Sequence, residues 1–200
     1  MKYITDLKDF AEIERYCDKV IHRGKQLPDN VFTDDYTYFT YTPFDNYGVP
    51  GLFEHVQQYM RITGQEKFWF AALEPTLLAN FKNGDYPFAA VEFTLSDTFD
   101  DLEDAINTGI TENNNGGLDF HSDFFIFLSD NLQMGLFLDR PSDLGVCGFK
   151  NHDELMRFTR IEEEFLFANA TEAAKKTYMP STMSEYYIKT FIKHYGINDN

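Results

Sequence analysis

The chain has 200 residues, with 17 Lys and Arg against 33 Asp and Glu, for a formal charge of −16. Its 43% hydrophobic and 17% aromatic content, with 21 Phe and 12 Tyr, excludes a disordered acidic tail and predicts one domain burying roughly two-thirds of its unfolded surface. The acidic balance argues against nucleic acid or anionic lipid as a direct ligand, since both need clustered Lys and Arg.

Thr5–Arg23 spaces Leu7, Phe10, Cys17 and Val20 mostly three and four residues apart. With Thr5 or Asp6 as cap and Gly24 as stop, this predicts an amphipathic helix. Tyr36–Thr42 is aromatic and β-branched and reads as a strand. Pro50–Ile62 returns to helical spacing, with Pro50 in a first turn and Gly64 beyond its end. Phe68–Leu73 and Phe88–Leu95 read as strands, separated by a short helix over Pro75–Phe81 that Asn83-Gly84 ends. Ser96 or Asp97 is expected to cap a helix reaching about Ile106, before the loop signal Asn113-Asn114-Asn115-Gly116-Gly117. Phe124–Ser129, Leu132–Leu138 and Leu144–Phe149, joined by turn residues, predict an antiparallel meander. A helix follows over Asp153–Phe158, extending toward Phe167 with Glu162–Glu164 beside Arg157 and Arg160, and another over Ser184–His194. The fold class expected is α+β: one domain, 1–200, whose mostly antiparallel sheet is covered by the N- and C-terminal helices.

The first residues are charged and no apolar run approaches the roughly 20 residues of a membrane span, so neither export nor membrane insertion is expected. The expected location is cytoplasmic. Cys17 and Cys147 are then read as reduced, packed thiols.

Charge is unevenly placed. Between Lys82 and Arg140 there is no cation, yet the interval holds Asp85, Glu92, Asp97, Asp100, Asp101, Glu103, Asp104, Glu112, Asp119, Asp123, Asp130 and Asp139. Gln26–Met60 adds five more acids without a base. Such a run is a solvated face, or it is a docking surface for a cationic protein steered in by the field. On the docking reading the contacts are Asp97, Asp100, Asp101, Glu103, Asp104, Glu112, Asp119 and Asp123, with Tyr36 and Tyr38 as aromatic anchors against the competing reading of strand packing.

Catalytic signals are sparse. Asp119, His121 and Asp123 alternate and, if extended, face one side about 7 Å apart, a spacing that suits a divalent metal or an Asp-oriented histidine. The alternative function this suggests is a metal-assisted or acid/base hydrolase. His22, His55, His152 and His194 are isolated, and no GxSxG, Walker A, GxGxxG or CxxC motif occurs. No cofactor and no catalytic residue are expected on the leading reading.

The segment Asp130–Phe149, DNLQMGLFLDRPSDLGVCGF, resembles in style the immunity proteins of bacterial polymorphic-toxin and contact-dependent growth inhibition systems. The resemblance covers about 20 residues and implies a small acidic cytosolic α+β protein that binds and neutralises a cognate toxin domain, often a basic nuclease. The partner expected is therefore a basic protein, without direct nucleic-acid or membrane binding; a non-catalytic regulatory domain is the other binding alternative.

Overall fold

In the computed structural model, residues 1–108, 117–161, 166–176 and 184–196 are described. Their extended segments are β1 (Lys2–Ile4), β2 (Tyr38–Pro43), β3 (Lys67–Ala72), β4 (Ala90–Thr94), β5 (Phe124–Ser129), β6 (Met134–Asp139) and β7 (Leu144–Phe149). These form one antiparallel sheet in the order β1-β4-β3-β5-β6-β7-β2, an α+β fold with the predicted meander β5-β6-β7 at its centre. The helices are α1 (Leu7–Val20), α2 (Pro50–Ile62), α3 (Pro75–Asn83), α4 (Phe99–Glu103), α5 (His152–Thr159), α6 (Ala170–Lys176) and α7 (Ser184–Tyr195).

Register sorts side chains to two covered faces, because successive residues of a strand point oppositely. One row across the sheet is Phe70, Phe127, Leu136, Cys147 and Thr40; the next is Trp69, Leu128, Gly135, Gly148 and Phe39. The first face carries a ladder of rings, Phe93, Phe68, Phe127, Phe70 and Phe125, with successive centroids 4.7–6.2 Å apart. There α2 sets Phe53 on Phe68 and Phe93, while Phe158 of α5 packs on Phe149. On the second face Tyr16 of α1 lies 5.1 Å from Trp69, and Tyr195 and Phe191 of α7 cover Phe39 and Tyr41. The aromatic excess thus lies largely in the core.

Local chemistry explains most boundaries. Asp6 caps α1, accepting from Lys8 N at 2.7 Å and Asp9 N at 3.3 Å. The helix ends at Val20, short of Gly24: Ile21 turns extended and bridges Phe32. Pro50 starts α2 and Gly84, at φ +82°, ends α3, both as the spacing predicts. Helix α5 stops at Thr159 instead of continuing to Phe167, whose N–H donates to the Tyr41 carbonyl at the sheet edge. The expected Glu162–Glu164 pairing lies outside the described residues.

Buried polar groups fasten the 21–36 segment across the second face. Asp139, fully buried, accepts from Leu27 N and Ser142 N, each at 2.9 Å. The Tyr195 hydroxyl accepts from Val31 N at 2.9 Å and donates to the Asp29 carbonyl at 2.7 Å. Cys17 and Cys147 are buried and unbridged, and burial pushes the Cys17 thiol up to about 12. No helix among the described residues is long and apolar enough to cross a membrane.

Candidate functional site

The acidic helix α4 begins differently from the sequence expectation. Neither Ser96 nor Asp97 caps it; Thr98 does, in a capping box whose other member, Asp101, accepts from Thr98 N at 2.7 Å. Asp97 instead closes the preceding turn, accepting from Thr94 N at 2.6 Å and pairing with the N-terminal ammonium. Burial opposes its ionisation, but the ammonium and the Thr94 donors outweigh that and hold its carboxyl below the usual range.

After Glu103 the backbone widens into a π turn over Asp104–Thr108. Leu102, Ala105 and Ile106 face the core, and Phe99 leans toward Phe53. Asp100, Glu103 and Asp104 are left exposed, with Asp101 half-buried beside them. None of these four forms an ion pair with a described residue. Their field reaches Tyr3 of β1, whose hydroxyl is pushed up by burial and then by Asp104 and Asp101.

Glu92, Asp119, Asp123 and Asp139 are engaged or buried elsewhere, so among the described residues the acidic face expected from the sequence is corrected to a short one. Glu92 accepts from Lys67 and the Trp69 indole, both at 3.1 Å, on the opposite face of the sheet. Asp139 is interior, and Asp130 lies in the turn between β5 and β6. Asp119 and Asp123 pair with Arg140. Glu112 lies outside the described residues. Tyr36 is not a surface anchor: it is 2% exposed and its hydroxyl donates to the Leu132 carbonyl at 2.7 Å. Tyr38 is half-buried, its ring 5.7 Å from that of His152.

Asp119, His121 and Asp123 do reach one cleft of about 370 Å³, shared with Glu74 and Thr76. They reach it through a 3-10 turn over Leu118–Phe120 rather than the extended backbone the alternation assumed. Asp119 accepts from Arg140 and the Tyr47 hydroxyl, and His121 sets its ring edge against Tyr86 at 4.6 Å. Among the described residues no group of three or more His, Cys, Asp and Glu side chains is arranged to hold a metal ion.

Arg140 and Tyr47 are the members of this cluster that sequence reasoning missed. The signal for Arg140 was present: the meander pairs Phe124 with Asp139, which brings Arg140 N to 2.9 Å from the Asp123 carbonyl. The first cation after the interval thus folds back on two of its acids. Tyr47 gave no such signal, because it arrives from the distant turn Phe44–Gly48. Comparison of the chain with protein-family models, curated proteins and solved structures found no match.

Proposed function

We propose that the chain is an immunity-type inhibitor that acts in the bacterial cytoplasm, binding a basic toxin domain and neutralising it without catalysis. The observation that carries this reading is the set Asp100, Glu103 and Asp104, exposed on one short helix and its π turn without an ion pair to the described residues. Arg23 and Lys82 pair with Glu14, Lys67 with Glu92 and Arg140 with Asp119, while Arg61, which donates to the Leu95 carbonyl just before α4, forms no ion pair with these three acids. Neighbouring carboxylates within a Debye length of about 8 Å repel one another, and a cationic partner relieves that repulsion while its approach is accelerated by the field. A nuclease toxin suits the surface, because the Lys and Arg that hold nucleic-acid phosphate are the groups such carboxylates attract. The hydrolase alternative gains less support, since Arg140 already neutralises the carboxylates it would use.

The test reverses Asp100, Glu103 and Asp104 together to Lys and measures association with the product of the neighbouring gene. Asp101 is spared because it closes the capping box. Association is expected to slow by about tenfold or more at low salt, with a weaker salt dependence than the wild type, because charges at an interface act mainly on encounter. Unchanged association by a variant with native circular dichroism would overturn the reading.

A further inference from the structure

Strand β2 is one border of the sheet, and among the described residues its outer side meets Phe167 and α6. Hydrogen-bonding parity fixes which of its backbone groups point outward. Lys150 N donates to the Gln133 carbonyl and Phe44 N to the Asp143 carbonyl, so the even-numbered residues of β2 turn toward β7. Phe39, Tyr41 and Pro43 therefore turn away from the sheet. Proline, which has no N–H to leave unpaired, stands at one outward position. At the next, the Tyr41 carbonyl accepts from Phe167 N at 2.8 Å, in an isolated antiparallel bridge. The chain then leaves the edge: Ala168 N turns to the Glu172 carboxylate and Asn169 accepts from Glu172 N at the start of α6.

Where it leaves, a groove of about 500 Å³ runs over Phe39, Thr40 and Tyr41, walled by Leu155 and Thr159 of α5 and by Phe167. Glu172 is the charged side chain among its described walls. At Phe39 no described residue bonds the outward N–H and C=O, and such a backbone position at the floor of a groove selects its occupant by backbone chemistry, because another extended chain offers an N–H and a C=O at matching spacing. We infer that this groove binds an extended peptide segment of another protein, added antiparallel to β2 through the N–H and C=O of Phe39. Alternate side chains of the segment enter the slot beside Thr40, between Leu155 and Thr159, and select small apolar residues; Glu172 favours a basic residue at the flank. The site lies on the border opposite β1, away from α4, and does not depend on the acidic surface.

The experiment selects random twelve-residue peptides on the full-length protein, then synthesises the enriched sequences with natural backbones and with an N-methyl group on the residue facing Phe39. Amide hydrogen exchange at Phe39 and binding by titration calorimetry are the readouts, and the protein itself is unaltered. Enriched peptides should alternate apolar residues, slow Phe39 exchange tenfold or more, and lose at least tenfold in affinity on N-methylation. The inference is overturned if no sequence enriches, if N-methylation leaves affinity unchanged, or if bound peptides leave Phe39 exchange as it was. It is equally overturned if sedimentation shows a dimer in which Phe39 is already protected, since the edge would then belong to a second copy.

Discussion

At the scale of single residues, His55 carries the clearest pH dependence. Its Nε2 lies 2.8 Å from the Phe158 carbonyl and must donate there, so Nδ1 bears no proton; that atom is buried and has no hydrogen-bond partner among the described residues. Burial lowers the pKa of the imidazole, because a charged ring at the α2–α5 contact has nothing to solvate it. The unfolded chain, with an ordinary histidine near 6.5, therefore binds its proton first as the solution is acidified. Stability from this group is complete above about pH 6.5 and is lost progressively as pH falls toward the depressed folded value. His194 is also lowered, by burial and then by Lys193, and adds in the same direction. His55→Phe is expected to cost about 1 kcal/mol near neutral pH, since the Phe158 carbonyl loses one donor and keeps Ile161 N, yet to flatten the fall in unfolding free energy between about pH 7 and pH 5.5. Denaturant titrations at several pH values check both parts; an unchanged slope would place the titration elsewhere.

At the scale of elements, the centre of the second face rests on two glycines used for space rather than for backbone freedom. Gly135 and Gly148 are register partners on β6 and β7. A Cβ at Gly148 would stand 2.7–3.0 Å from three atoms of the Phe32 ring, and one at Gly135 would stand 2.5 Å from Val20 Cγ1. The strand floor is bare so that the end of α1 and the 21–36 segment can press against it. Gly148→Ala is expected to destabilise by about 1–3 kcal/mol through overpacking, and adding Phe32→Leu should recover part of that loss, a coupling a double-mutant cycle measures. The glycines inside Leu144–Phe149 were visible in the sequence; what approaches them was not, since Phe32 is more than a hundred residues away. The same division runs through the fold. Periodicity and caps were enough for α2, α3 and the meander, whose determinants are local. β1 and α6 escaped notice because three and seven residues carry too little pattern. The position of α4 was legible, but its cap was misplaced because Ser96, Asp97 and Thr98 are all good capping residues and only tertiary contacts assign Asp97 to the chain terminus. Of the candidate site, the carboxylates of α4 were legible as charge; Tyr36 was not, because an aromatic residue in an acidic tract has the same sequence appearance buried or exposed.

At the scale of the whole molecule, the −16 charge acts on stability as well as on encounter. Two effects of salt compete. Exposed pairs such as Lys2–Asp9 and Lys189–Glu185 weaken on screening, but solvent already damps them, so little is lost. Against them stand carboxylates in excess of all the cations the chain has, including Asp100, Glu103 and Asp104 on adjacent turns. Raising ionic strength from about 0.01 M to about 0.1 M shortens the Debye length from about 30 Å to about 10 Å, which suppresses repulsion summed across the surface more than contact pairs held near 3 Å. Repulsion should therefore win, and the melting temperature should rise over this range. Relief on the order of 1 kcal/mol corresponds to about 2–4 °C for a chain of this length. The neutral variant Asp100→Asn, Glu103→Gln, Asp104→Asn should begin with a higher melting temperature at low salt and gain less on salt addition, because the local repulsion is already gone. Thermal scans of both proteins across the series decide the matter. A wild-type melting temperature that falls with salt would mean that ion pairs dominate the surface energetics, and the carboxylates of α4 would then carry no unrelieved charge for a cationic partner to neutralise.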